Sequence, residues 1–126
     1  MSPVILLTRD GRFAGAFGSA GGNAILAFVA KSMVAAIDWK LSVQQAIAAP
    51  NLVARGTNFQ GEVGKFSPAV LAGLQVRGIE LRPGQGEDSG VHGVMIRDGR
   101  PSTTLRTGID GGFDPRREGV VRTLPR

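Results

Sequence analysis

The chain contains no cysteine and no tyrosine, and only one histidine (His92) and one tryptophan (Trp39). Without cysteine there is no disulfide framework, no thiolate metal site and no cysteine nucleophile. Glu87-Asp88 lies in a glycine-rich loop with no matching histidine or cysteine, so no metal site is expected, and nothing in the chain calls for a cofactor. Long hydrophobic runs are missing too. The longest, Ala24 to Ile37, is interrupted by Lys31 and falls short of the ~20 residues a membrane span requires. Met1 leads directly into Pro3-Val4-Ile5-Leu6-Leu7 with no basic segment before it, so no signal peptide is read. As written, the chain is expected to be soluble and cytoplasmic, with no membrane partner.

Charge is unbalanced but dispersed. The net charge of +5 raises nucleic acid as a partner. The basic residues, however, are mostly single arginines (Arg9, Arg12, Arg55, Arg77, Arg82), and only Arg116-Arg117 are adjacent. Phenylalanines do not interleave with them, so no stacking platform for bases is formed and no nucleic-acid partner is expected. What the chain does have is a globular composition, with 42% hydrophobic residues in 126. A length of this order buries about two-thirds of the unfolded chain's surface, and residues 1–126 read as one domain.

Two Asp-Gly turns flanked by apolar runs predict hairpins. The first joins Val4–Thr8 to Phe13–Phe17 through Asp10-Gly11; the second follows Val91–Ile96 through Asp98-Gly99 to a strand around Leu105–Ile109. The first strand is almost continuously apolar, which predicts burial on both faces. Between the hairpins lie three helix candidates. Ala24 to Trp39 is apolar nearly all round and predicts a fully buried helix with Trp39 as an anchor at its end. Ser42-Val43-Gln44-Gln45 is a capping box opening a short helix that Pro50 stops. Ser67-Pro68 opens a third that Gly78 ends. Short strands are expected at Leu52–Ala54, Gln60–Val63 and Ile79–Leu81. The order β-β-α-α-β-β-α-β-β-β predicts an α+β fold with helices layered on antiparallel sheets.

At Gly18-Ser19-Ala20-Gly21-Gly22-Asn23 a strand-like run meets the apolar helix. Adjacent glycine N–H groups at such a junction, with the positive end of a helix dipole behind them, suit an oxyanion. Glycines at such a place also serve simply as turn-makers. Ser19 sits on the same turn, but the segment is not a Gly-x-Ser-x-Gly elbow, because its first glycine falls one residue late. His92, beside Val91 and Val94, reads as structural, and the internal threonines lack the free amine an N-terminal threonine uses as base.

Five segments in this order resemble the carboxy-terminal part of the gamma-glutamyltransferase (gamma-glutamyltranspeptidase) family of N-terminal-nucleophile hydrolases. They are Met1-Ser2-Pro3, Gly18-Ser19-Ala20-Gly21-Gly22, Ala46-Ile47-Ala48-Ala49-Pro50, Phe66-Ser67-Pro68 with Leu71, Leu74 and Gly78, and Gly112-Phe113-Asp114-Pro115-Arg116. Ala20 stands where the family has proline, Asn23 where it usually has serine, and Asn51 where arginine usually follows the third motif. The resemblance implies a partial αββα layered fold, an acyl-transfer chemistry on gamma-glutamyl substrates such as glutathione, and no cofactor. It carries over only Gly21 and Gly22, as the two backbone donors of the oxyanion hole. The family's nucleophilic threonine, its substrate-holding residues and its large subunit have no counterpart here. The expectation is therefore a small-subunit segment, inactive alone, that acts on a gamma-glutamyl substrate only when an upstream catalytic segment or large subunit complements it. The alternative is a stand-alone, non-catalytic module that covers its apolar faces as a homodimer.

Overall fold

The computed structural model describes residues 2–84, 88–97 and 108–122. Among these, seven strands and three α-helices follow the expected order: β1 (Val4–Leu7), β2 (Phe13–Gly18), α1 (Ile25–Ile37), α2 (Val43–Ala48), β3 (Leu52–Arg55), β4 (Asn58–Gly61), α3 (Pro68–Val76), β5 (Leu81–Pro83), β6 (His92–Ile96) and β7 (Ile109–Phe113). Single 3-10 turns at Gly22–Ala24 and Val63–Lys65 lie before α1 and before α3. The Asp98-Gly99 turn, the Leu105–Thr107 part of the expected strand, and residues 85–87 of the acidic loop lie outside the described residues.

β1, β2, β6 and β7 form a wholly antiparallel sheet in that order, with Val4 opposite Phe17 and Phe17 opposite Gly93. Strand periodicity therefore puts Val4, Leu6, Gly15, Phe17, Gly93 and Met95 on one face. That face packs on α1 and α2, which bring Phe28, Val29, Val43 and Ile47 into the core. The approach is close. A Cβ on Gly112 would lie 2.8 Å from the Gln44 backbone, and one on Gly93 2.5 Å from the Phe17 ring. The glycine of the last motif is thus the notch into which α2 settles. A second sheet of β3, β4 and β5 is antiparallel between β3 and β4 but parallel between β4 and β5, because α3 carries the chain back to the starting edge. α1 touches both sheets, through β2 and β3.

Local signals act as the sequence predicts. Ser42 accepts from the Gln45 N–H and the Gln45 side chain accepts from Ser42, completing the box that opens α2. Ser67 caps α3 with Pro68 in its first turn, and Gly78 at φ 75° turns the chain away.

Burial differs from the expectation in two places. β1 is covered on one face only: Ile5 and Leu7 are 69% and 62% exposed. α1 likewise leaves Leu26, Val34 and Ile37 open along one side, with Trp39 61% exposed beyond it rather than buried as an anchor. Apolar composition fixes what can be buried, but cover requires a second layer, and the described residues supply only one.

Candidate active site

The glycine turn is where strand β2 hands the chain to α1. Gly21 has φ 123°, which requires glycine on backbone grounds alone, and Gly22 has φ 51°, in the left-handed region that favours it. Gly21 is buried: a Cβ there would lie 2.6 Å from the Phe28 ring and 3.4 Å from the Asp88 carbonyl oxygen. Gly22 is exposed. Among the described residues, neither Gly21 nor Gly22 donates its N–H to an acceptor. The helix start behind them also differs from its neighbours. α2 and α3 each have a serine cap, whereas the turn at Gly22 and the start of α1 have no side-chain cap and no acidic residue in the first turn. The positive end of that helix is left to be neutralised by something else.

Ser19 is not set up as a nucleophile. It is buried, its hydroxyl donates to the Ala20 carbonyl (2.5 Å) and its oxygen accepts from the Gly90 N–H (3.2 Å). His92 is exposed on β6, its Nδ1 3.4 Å from the Gly90 carbonyl, and no carboxylate partners it among the described residues. Asp10 remains a turn residue, bonded to Thr8 and Arg12. A cavity of about 350 Å³ bounded by Thr57, Phe59, Glu80 and Arg82 opens on the second sheet and includes none of the glycine-turn residues.

The sequence alone did not reveal a charged clasp around α2. This helix has six residues and is held at both ends by charges that oppose its dipole. At its start, the buried Asp110 accepts from the Val43 N–H (2.9 Å) and from Arg97 Nε (2.8 Å). At its end, Lys31 Nζ donates to the carbonyls of Ala46, Ile47 and Ala49 at 2.9–3.0 Å. Arg116, its side chain 6% exposed, donates to Ile47 (3.1 Å), Ala48 (3.4 Å) and Ala49 (3.0 Å). The same guanidinium grips Glu62 (2.5 and 2.8 Å) and Asp114 (3.0 Å). The Ala-x-x-Ala-Pro and Asp-Pro-Arg segments, about 65 residues apart in the chain, are therefore two halves of one contact.

Ionisation follows from this geometry. Burial pushes Glu62 up, but hydrogen bonds from Arg116, Lys65 and the Asn51 N–H outweigh it and hold the carboxyl at about 2. Burial likewise raises Asp114, yet the Ser89 hydroxyl, the N–H groups of Arg116 and Val91 and the Arg116 side chain keep it below the usual carboxylate range. Burial also lowers Arg116, but Glu62 and Asp114 more than restore it. Lys31 is pushed down to about 8 by burial and by the Arg116 charge, against the pull of Asp114 and Glu62. Asn51, buried, donates to Ser89 Oγ (3.0 Å), and its Oδ1 accepts from no donor among the described residues. No group of three or more metal-ligating side chains occurs among the described residues.

Helices layered on antiparallel sheets are the fold this chain shares with solved N-terminal-nucleophile hydrolases of the gamma-glutamyltranspeptidase type. Three solved structures of that class superpose on it. A gamma-glutamyltranspeptidase of Pseudomonas nitroreducens matches with TM-score 0.76 at 21% identity, covering 100% of this chain and 62% of its own. One from Helicobacter pylori matches with TM-score 0.74 at 22% identity, covering 93% and 61%. The cephalosporin acylase of Bacillus halodurans matches with TM-score 0.76 at 27% identity, covering 98% and 22%. The family profile described as gamma-glutamyltranspeptidase matches residues 1–124, and the chain belongs to that family. It spans about three-fifths of the solved gamma-glutamyltranspeptidase chains named above. No curated protein matches it.

Proposed function

We propose that the chain is the carboxy-terminal segment of a gamma-glutamyltransferase-like small subunit, residues 1–126 forming one domain that supplies scaffold and oxyanion hole to an acyl-transfer enzyme. The observation that carries this reading is the pair Gly21-Gly22, whose N–H groups have no acceptor among the described residues and stand before an uncapped helix start. Two preset donors in this position stabilise the oxyanion of a tetrahedral intermediate without reorganising when charge develops. In this reading the nucleophile, a threonine whose own amine is the base, belongs to an upstream segment, and the acyl donor is a gamma-glutamyl compound. The remaining motifs build the support: Gly112 admits α2, and Arg116 closes the clasp at its end.

The test is to co-express the upstream coding sequence, confirm release from a chromogenic gamma-glutamyl amide, and then replace Gly22 by glycolic acid. The ester keeps the backbone's freedom to adopt φ 51° and removes only the N–H; proline, fixed near φ −65°, would break the turn instead. Turnover should fall about 10²–10³-fold. Full turnover in the ester variant would refute the assignment.

A second reading rests on a different observation, the open apolar faces at Ile5, Leu7, Leu26 and Val34. A stand-alone module with such faces covers them by self-association, most simply as a two-fold dimer.

A further inference from the structure

Ser19 is the side chain of the glycine turn that bonds beyond it, and the loop it meets is held from the far end of the chain. Loop 88–91 is gripped from below by Asp114, whose Oδ2 accepts from the buried Ser89 hydroxyl (2.5 Å) and from the Val91 N–H (3.1 Å). It is gripped from the side by Arg117, whose Nε donates to the Ser89 carbonyl (3.2 Å) and Nη2 to the Asp88 carbonyl (2.9 Å). The loop then meets the turn. Gly90 N–H donates to Ser19 Oγ, and the Asp88 carbonyl lies 3.4 Å from where a Gly21 Cβ would be, with Phe28 closing the opposite side. Arg117 packs directly over Gly90: a Cβ there would lie 2.9 Å from Arg117 Cδ.

We propose that Arg117 is a positioning residue for the Gly21-Gly22 turn, acting through loop 88–90 and Ser19. The relay is mechanical and stands on these contacts; its effect on turnover rests on the oxyanion reading above. Two adjacent carbonyls are spanned by one planar guanidinium, whose rigid fork fixes both bonds together where a lysine ammonium is a point donor on a flexible stem. Ser19 is the last link, converting the place of Gly90 into the place of the Ala20–Gly21 peptide. Arg117 is exposed, so its replacement leaves the core intact.

The experiment follows the glycine amides of the full ¹⁵N-labelled chain by NMR in wild type, Arg117→Gln, Arg117→Lys and Ser19→Ala, with the exposed Arg122→Gln as control. Arg117→Gln should displace the Gly90, Gly21 and Gly22 cross-peaks by more than a linewidth and speed Gly90 exchange about tenfold or more, with the α2 amides unmoved. Arg117→Lys should do the same in lesser degree, and Ser19→Ala should move Gly21 and Gly22. In the complemented enzyme, Arg117→Gln should lower kcat about tenfold with KM within about twofold. Displaced glycine peaks with unchanged turnover would leave the relay standing and remove the oxyanion reading. Glycine peaks that stay in place, whatever turnover does, would overturn the relay, and full rescue by lysine would reduce Arg117 to a charge.

Discussion

Replacing Arg116 by methionine tests the clasp on which both motifs converge. The substitution keeps an aliphatic stem in the same space and removes only the guanidinium, leaving Glu62 (side chain 14% exposed) and the fully buried Asp114 without it. Removing one partner of a buried ion pair costs about 3–5 kcal/mol. Two features moderate that figure. Lys65 still reaches Glu62 at 2.7 Å, and Lys31 still caps Ile47 and Ala49, so that of the three carbonyls Arg116 serves only Ala48 is left open. The expected loss at pH 7 is therefore about 3 kcal/mol, read as a fall in Tm of about 10–15 °C for a chain of this size.

The pH dependence gives the sharper test. Glu62 titrates at about 2 when folded against an ordinary 4.5, so its contribution is fully present above pH 4.5 and is lost as pH falls toward 2. Asp114, also lowered, acts in the same direction. Without Arg116 both carboxyls move back up, and acid then neutralises charges that are already unpaired. The stability gap between wild type and Arg116→Met should thus narrow by half or more as pH falls from 7 to 3. Urea titrations at the two pH values, analysed for the midpoint at constant m, measure it directly. A gap below about 1 kcal/mol at pH 7, or one that does not shrink in acid, would refute the reasoning.

Other outcomes follow from the same structure. Lys31 is lowered to about 8, so the unfolded chain binds more protons between pH 8 and its ordinary 10.5, and wild type should gain stability over Lys31→Met across that window; a flat difference in thermal melts would show the amine is not buried against the α2 carbonyls. Gly112→Val should cost about 2–4 kcal/mol, since even its Cβ would meet the Gln44 backbone at 2.8 Å, and a melt within 3 °C of wild type would mean α2 can retreat. The chain by itself should release no product from a gamma-glutamyl amide, and turnover that survives repurification would show that it carries a nucleophile of its own. Light scattering should find the isolated chain as a dimer or larger, with Ile5→Arg shifting it toward monomer; Leu6, which points into the covered face, is the wrong position for that test, and a monomeric wild type would remove the self-association reading.

Local chemistry was legible in the sequence because its causes are local. Ser42 and Gln45, Ser67 and Pro68, Asp10-Gly11 and Gly78 each act within four residues of themselves, and helix starts, stops and the first hairpin fell where they indicated. Strand ends slipped by two residues at β4 and β5, and β7 runs on to Phe113 where the sequence reading ended it at Ile109, since no strong turn signal marks these boundaries. The glycine turn could be located at the strand-to-helix junction, but not its pose: Gly21 is hemmed in by Phe28 and by a loop some 70 residues away in the chain. The clasp was out of reach altogether. Nothing in the order Lys31, Glu62, Asp114, Arg116 marks them as neighbours, and a scattered arginine reads as surface until the fold brings the end of α2 beneath it. Burial was decided at the same level. The alternation at β1 and the all-round apolar helix α1 state what water would rather not touch, while which face is covered depends on whether another layer lies against it. Composition and spacing set the elements and the family; only the packing of distant segments decided which charges are buried, which glycines are obligatory and which apolar faces remain open.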